Sequence, residues 1–548
     1  MRTPAFITIR TENIRMTVLL PHLPLGQSDY SHLRRSGSVY ADKTELVCEL
    51  ASSFVPVLLI RPRGFGKSLL VSTLESLFRY GLRDFRGLAI EKLWKDRTYN
   101  VVRLDFSDCT QFADEEDFRR IFDGTLLAAF ADVGFERTDD SLDLDLQISA
   151  WMSELERGSL VVLIDEYDAP LTACWNDLEL FKAVRGHMSD FFATLKSEAG
   201  CLRFLFLTGT TKCYDTNIFS NFDPCINLSL DPKFGTLLGF TKEEILRHFP
   251  FHLERAAETL RQTTAQLLDN LLGQYGGYCF EDTSRHRVAC PWSVLHFLDC
   301  PERGFQNDWF AGGGHSTLLL QLLKGHEQEE LTSFADLRMR HLYDLETPRP
   351  FDDFDLTVLL TQAGGLTIKE IRSRNDVILG YPNREVTVSM AIIYANQLFG
   401  GKLPLKKGQR SVEDILAFES IDNVVICLND MLDALNHTSY PIADATHCGR
   451  HLQILMMGAE AFPLVEVHND HERSDLEVEA GDRRWVFELK FAKETSQVKK
   501  LLTEAVEQIR DRRYGETPHG KELRRVALVY SAQDRRFTAW QDVGIVAE

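Results

Sequence analysis

Residues 58–70 read LLIRPRGFGKSLL. An apolar strand, Val57-Leu58-Leu59-Ile60, runs into a turn carrying Gly64 and Gly66, and Ser68-Leu69-Leu70-Val71-Ser72-Thr73-Leu74 opens a helix with apolar residues at helical spacing. That order of strand, turn and helix sets the N–H groups of a helix N-terminus against phosphate oxygens. Lys67 would reach the outer phosphates and the Ser68 hydroxyl would ligate magnesium. The nucleotide-binding stretch is therefore Arg63, Gly64, Phe65, Gly66, Lys67, Ser68 and Leu69. The usual spacing GxxxxGKS asks for glycine at 61, where this chain has Arg61. Arg61 and Arg63 are expected to add charge near the phosphates, and the two glycines to supply conformational freedom. The bland reading of the same letters is a strand, turn and helix without a ligand.

A second stretch completes the constellation. Leu160-Val161-Val162-Leu163-Ile164 is an apolar strand ending in Asp165-Glu166-Tyr167-Asp168. Carboxylates at the C-terminal end of a parallel strand face the phosphate site. Asp165 is expected to hold magnesium through water and Glu166 to polarise the attacking water. Val101–Phe106 is a further apolar stretch lying between the two in sequence, and Arg203–Gly209 follows them. An additional strand between the phosphate loop and the acidic strand is the order of ATPases with a glutamate base. Thr208 has two readings of equal weight: a sensor of the third phosphate through water, or a polar strand end. Arg185 and Arg203 are conceivable arginine fingers.

The rest of the composition sets limits. A chain of 548 residues with 44% hydrophobic content has room for two to four domains. A net charge of -20 argues against non-specific coating of nucleic acid but leaves room for a local basic cleft. Eleven cysteines, without a CxxC pair or zinc spacing, read as reduced thiols of an intracellular, cytoplasmic protein, or a nuclear one in a eukaryote. No apolar run approaches the roughly 20 residues that span a bilayer, so no membrane partner is expected. Residues 1–20 are Arg-containing and acid-poor, the composition of a transit peptide or of an extension ahead of a start at Met16.

Near the C-terminus, SDLEVEAGDRRWVFELKF (474–491) reads as a hairpin turning near Gly481-Asp482. Alternation puts Trp485, Phe487, Leu489 and Phe491 on one face and Val486, Glu488 and Lys490 on the other. Asp475 and Glu488 can then converge on one Mg2+ or Mn2+, with Lys490 on the attacking water. A surface hairpin of alternating charge gives the same pattern. Residues 498–513 follow as a helix with a stripe of Leu501, Leu502, Ala505, Val506 and Ile509.

These stretches occur in the order LPLGQSDYSHLRRSGSVYADKTEL, RPRGFGKSLL, LIDEYDAPL, LTGTTK with IFSNF, GTLLGFTKEE, CPWSVLHFL, AGGLTI, YPNREV and ERSDLEV with FELK. In that order the chain resembles a bacterial and fungal family that joins an AAA-ATPase-like domain to a C-terminal PD-(D/E)xK nuclease-like domain. The resemblance implies an α/β architecture: a P-loop NTPase core with a parallel sheet flanked by helices, a helical lid region, and a C-terminal restriction-endonuclease-like α/β domain. The expected boundaries are 1–20 for an N-terminal extension, 21–238 for the ATPase part, 239–345 for the lid, 346–430 for a connecting region and 431–548 for the nuclease-like part. Gln508 and Tyr514 match the family's QI…Y stretch, and Gln508 is a candidate contact for the scissile phosphate or a solvated glutamine. Where the family often has Gly-Arg, this chain has Glu472-Arg473. An upstream acid is expected from Asp444, near His447 and His451, or from Glu466. Asp42-Lys43-Thr44 reads as a helix start, as does Thr241 with Glu243 and Glu244. Gly312-Gly313-Gly314 reads as a hinge, and the basic cluster Lys402 to Arg410 as a solvated loop.

Two functions follow as expectations. One is an ATP- and Mg2+-dependent module that gates metal-dependent cleavage of nucleic acid, DNA favoured, in defence or mobile-element processing, with a homo-oligomer left open. The other is a non-catalytic ATP-dependent switch whose nuclease-like domain only binds nucleic acid or a protein.

Overall fold

The computed structural model describes residues 6–11, 14–212, 225–307, 309, 334, 336–347, 355–373, 375–398, 410–438, 440–459, 461, 463–468, 473–512 and 521–544. IFSNF, Gly312-Gly313-Gly314, residues 402–409, Glu472 and Tyr514 lie outside them, as does the side chain of Glu466. The chain packs as two compact units, Met1–Leu319 with Leu337–Glu385, and Leu320–Asp336 with Val386–Glu548.

In the first unit, β1 (Phe6–Thr11) and β2 (Ile14–Leu19) form an antiparallel pair. The main sheet is parallel throughout and contains β3 (Val57–Ile60), β4 (Asn100–Asp105), β5 (Leu160–Asp165), β6 (Leu202–Gly209) and β7 (Ile226–Asn227) in the order β4-β5-β6-β3-β7. Every residue of β3 and β5 is buried, which is why both read as unbroken apolar runs rather than alternating ones. The strand inserted between the phosphate-loop strand β3 and the acidic strand β5 is β6; β4, which lies between them in sequence, is at the sheet edge. Helices Glu115–Ala131, Leu144–Ser153 and Leu178–Ser197 cover one side with a phenylalanine-rich core that includes Phe118, Phe122, Phe130 and Phe191.

Four helices, Lys242–His248, Pro250–Leu260, Thr264–Tyr275 and Pro291–Asp299, share a second core around Ile245, Leu253, Leu271 and Val294. The first starts on a reciprocal capping box, Thr241 with Glu244. Glu244 also holds Lys43 at 2.8 Å, and Lys43 donates to Thr236 O. Asp42 accepts from Thr44 N at 2.9 Å, so Asp42-Lys43-Thr44 is a helix start anchored to this region. A small antiparallel sheet, β8 (Arg338–His341), β9 (Thr367–Ile371) and β10 (Asp376–Gly380), runs in the order β8-β10-β9.

The second unit is built on a mixed sheet of β11 (Pro463–His468), β12 (Arg473–Ala480), β13 (Arg483–Ala492), β14 (Glu522–Ser531) and β15 (Arg536–Asp542), in sequence order. Only β13 and β14 are parallel, and the helix Val498–Arg512 makes the crossover between them. Ala505, Val506 and Ile509 of that helix pack on Val486 and Ala527. Leu489 points to the opposite face, where Gly449 of the helix Ala445–Gly458 lets the backbone approach: a Cβ there would lie 3.3 Å from Leu489 Cδ1. The hairpin turn falls at Gly481-Asp482, with Ala480 paired to Arg483. Among the described residues no helix is long and apolar enough to cross a membrane, and the ten described cysteines form no disulfide.

Candidate nucleotide and nuclease sites

The helix Lys67–Tyr80 starts differently from its neighbours. Helices at Tyr30, Glu115 and Leu178 are capped by the side chains of Asp29, Asp114 and Asp177, whereas this one is preceded by Gly66 at φ 93 with no side-chain cap. Its first N–H groups are left for an anion. Gly64, at φ 79, meets a tighter constraint: a Cβ would sit 3.1 Å from both Cys290 Sγ and Trp292 Cβ. Phe65 is buried edge-on against Tyr278 and Phe280, which pins the loop from behind. Arg63, Gly64, Phe65, Gly66, Lys67, Ser68 and Leu69 all line a cavity of about 580 Å³, together with Asp105 and Glu166.

Lys67 Nζ lies 3.3 Å from Glu166 Oε1 and donates to Arg61 O at 3.1 Å and Thr210 Oγ1 at 3.3 Å. Asp165 is fully buried. Its Oδ1 accepts from Glu166 N at 3.0 Å, while Oδ2 has no hydrogen-bond partner among the described residues. Burial pushes its carboxyl up to about 6, Glu166 and Asp105 adding to the rise and the adjacent Ser68 hydroxyl opposing it. A buried oxygen without a donor, beside a serine and two further carboxylates, fits a divalent cation. Glu166 takes φ 49, a left-handed conformation uncommon outside glycine, at the point where the strand ends.

Arg61 does not sit by the phosphates as expected. Its guanidinium is buried over the Phe280 ring and donates to Ile60 O, Ser229 O and Phe234 O. Burial lowers it to about 9. A long side chain with three carbonyl acceptors on the inner side of the strand end turns inward, and of the two arginines only Arg63 lines the cavity. Thr208 likewise turns away: its hydroxyl donates to Leu59 O across the sheet at 2.7 Å. The strand-end threonine that reaches Lys67 is Thr210. Arg203 is no finger either, since it pairs with Asp96 at 2.8 Å and donates to Ser53 O and Ala51 O.

Two residues of this site escape a reading of the sequence. Asp105 ends β4 and lines the cavity. Asp168, 2% exposed, accepts from Thr210 N, from Thr211 N at 2.7 Å and from Thr211 Oγ1 at 2.7 Å, clamping the end of β6 to the exit of β5. Gly209 makes the clamp sterically possible, because a Cβ would lie 2.2 Å from Asp168 Oδ1. The available signal is the last acid of Asp165-Glu166-Tyr167-Asp168, one carboxylate more than metal and water require.

In the second unit, Glu488, Lys490 and Gln508 come together. Lys490 Nζ donates to Glu488 Oε1 at 2.7 Å and to Gln508 Oε1 at 2.6 Å, with Glu488 1% exposed. Strand alternation puts Asp475 on this face, and its Oδ2 accepts from Leu489 N at 2.8 Å. The register of β12 on β13 starts at Leu476 with Phe487, so the carboxylate takes over at the end of the ladder. Among the described residues no group of three His, Cys, Asp or Glu side chains is set to hold a metal by itself. Two carboxylates completed by water and phosphate oxygens are a donor set suited to Mg2+. Asp444 is an exposed helix cap that accepts from His447 N at 2.8 Å. His451 Nδ1 lies 2.7 Å from His447 O, and burial holds it below the usual histidine range.

The parallel sheet with its phosphate loop, and the mixed sheet with its carboxylates and lysine, define an α/β protein with a P-loop domain and a nuclease-type domain. Residues 24–219 match the family model described as Predicted AAA-ATPase, and residues 454–540 that of the PD-(D/E)XK nuclease superfamily. The chain thus carries an AAA-ATPase-like domain and, at its C-terminus, a PD-(D/E)xK nuclease-like domain. It is similar to a protein of Azotobacter chroococcum mcd 1 described as an uncharacterized protein in the vnfD 5' region, 24% identical over 96% of this chain and 98% of that one. Among solved structures, Cdc6p from Pyrobaculum aerophilum is 12% identical over 62% of this chain and 86% of its own, at a TM-score of 0.21. The Aeropyrum pernix ORC2 protein, solved as ADPNP-ADP complexes, is 14% identical over 70% of this chain and 97% of its own, at a TM-score of 0.20. TM-scores this low lend no weight to a shared fold or role.

Proposed function

We propose that the chain is an ATP- and Mg2+-binding ATPase whose nucleotide state governs a metal-dependent phosphodiesterase acting on nucleic acid, with DNA the favoured substrate. The observation that carries the first half is the buried Asp165 Oδ2 beside Ser68 and Lys67. Nucleotide phosphates would compete with Glu166 for the Lys67 ammonium, and Glu166, so released, would orient the attacking water. Thr210 takes the phosphate-sensing role in place of Thr208. Glu488 and Asp475 would hold the second metal, while Lys490, kept by Glu488 and Gln508, would position the attacking water. Bound metal lowers the pKa of such a water.

One observation favours the non-catalytic switch. Asp475 already serves the Leu489 N–H, which gives that carboxylate a purely structural task. The test is cleavage of linear and single-stranded DNA with Mg2+ or Mn2+, with and without ATP, in the native chain, Lys490→Ala and Lys67→Ala. Cleavage abolished in Lys490→Ala and altered in Lys67→Ala supports the coupled nuclease. No cleavage under any condition, with ATP still bound, moves the reading to the switch.

A further inference from the structure

The nucleotide cavity extends well past the phosphate loop. Its wall includes residues 26–28, ahead of the helix Tyr30–Ser36, and residues 39–41 after it. Both segments are firmly held: Leu23, Leu25, Val39 and Ala41 pack on the core formed by the four helices, and Val39 N donates to His22 O at 2.9 Å. Gly26 at φ 72 and the bond from Gln27 N to Pro24 O, 3.2 Å, make a tight turn that fixes Gln27 on the wall.

Gln27 Oε1 is buried and has no hydrogen-bond partner among the described residues. Several other polar groups on the wall are satisfied within the protein. Lys43 is taken by Glu244 and Thr236 O, Ser293 by Glu385, and the Thr73 hydroxyl by Leu69 O. One further buried atom on the wall lacks a partner among the described residues, the Trp292 Nε1–H donor. Trp292 N donates to Gly64 O at 3.2 Å, which ties that indole to the phosphate loop. The cavity therefore offers one unfilled acceptor on the turn before the helix and one unfilled donor beside the phosphates. Buried polar groups are nearly always paired, and exceptions call for a ligand, an ion or a water. The apolar wall next to them, Leu33, Val39, Phe240 and Leu295, suits the face of a flat ring.

We propose that Gln27 reads the edge of the nucleotide's base and selects adenine. This rests on the nucleotide reading above and adds the specificity of the same site. Adenine presents an exocyclic amine next to ring-nitrogen acceptors, and a carboxamide meets it with both atoms: Oε1 accepts from the amine and Nε2 donates to a ring nitrogen. Guanine carries an oxygen in the place of that amine and sets acceptor against acceptor at Oε1. Trp292 donates to the sugar or phosphate portion and is indifferent to the base.

Calorimetric titration of the full chain with ATP, GTP and purine riboside triphosphate, in the presence of magnesium, tests the assignment; the purine nucleotide lacks the amine and is otherwise ATP. The native chain should bind ATP about tenfold more tightly than either of the others, the effect of one buried group left unpaired. Gln27→Leu should bring the three to within about twofold of one another, while Trp292→Phe should weaken all three alike and keep their ratio. Equal affinity of the native chain for ATP and the purine nucleotide overturns the proposal, and this comparison needs no variant to fold. Retention of the ATP preference by Gln27→Leu overturns it as well. Failure of all three ligands to bind overturns the nucleotide reading itself, a result distinct from binding without preference.

Discussion

Asp165→Asn should make the nucleotide-free protein more stable at neutral pH while destroying its response to magnesium. The carboxyl rises from 3.8 to about 6 on folding because it is buried, so its ionisation at pH 7 opposes the folded state. A rise of that size corresponds to about 3 kcal/mol, an upper bound for the gain when the charge is removed. The sign follows from proton binding. Between about pH 4 and 6 the folded chain holds a proton that the unfolded chain has lost, so stability falls as pH rises through that window. Asparagine keeps the Oδ1 acceptor for Glu166 N and carries no charge at any pH. Urea titration followed by hydrogen exchange of peptides spanning Leu160–Asp165, without metal or nucleotide, measures the effect in the right part of the molecule. The variant should exceed the native chain by about 1–3 kcal/mol at pH 7 and equal it near pH 3.5. Addition of Mg2+ and ATP should stabilise only the native chain. A variant no more stable than native at pH 7, or an advantage that persists unchanged at pH 3.5, would refute the reasoning.

Other substitutions separate scaffold from site. Gly209→Ala should cost at least about 3 kcal/mol, because its Cβ falls 2.2 Å from Asp168 Oδ1; a melting temperature within error of native contradicts the clamp. Thr208→Val should lose about 1 kcal/mol and keep native ATP affinity, whereas Thr210→Val should keep stability and change the nucleotide response, as read by denaturation and calorimetry in parallel. Lys490→Ala should destabilise the second unit by about 1–3 kcal/mol by leaving the Glu488 carboxylate without its ammonium, while Lys490→Arg should recover much of that. Hydrogen exchange across Arg483–Ala492 would register both.

The sequence makes the backbone of both sites legible because the governing forces there are local. An unbroken run such as Leu160-Val161-Val162-Leu163-Ile164 has no polar face to show solvent, so it belongs inside a parallel sheet. Strict alternation around Gly481-Asp482 sets which of Val486, Phe487 and Glu488 share a face. What a hydroxyl or guanidinium does at a strand end is decided across the sheet instead. Thr208 and Thr210 lie on the same strand exit, and only the position of Leu59 O tells which one is spent on the backbone. Arg61 is illegible for the same reason, since its acceptors Ser229 O and Phe234 O are 168 and 173 residues away in sequence. Asp168 and Asp105 are in plain view as letters, but their tasks exist only once β4, β5 and β6 lie side by side.

Arg61 also bears on how such a loop can change over evolutionary time. Replacing it with the glycine of the commoner pattern would look like a repair, yet it would strand the carbonyls of Ile60, Ser229 and Phe234 and leave a void under Phe280. The reverse step, arginine into a loop that lacks those acceptors, would bury a lone cation. Each form is therefore separated from the other by unstable single mutants. A lineage holding arginine at this position is committed to it until several distant backbone segments move together.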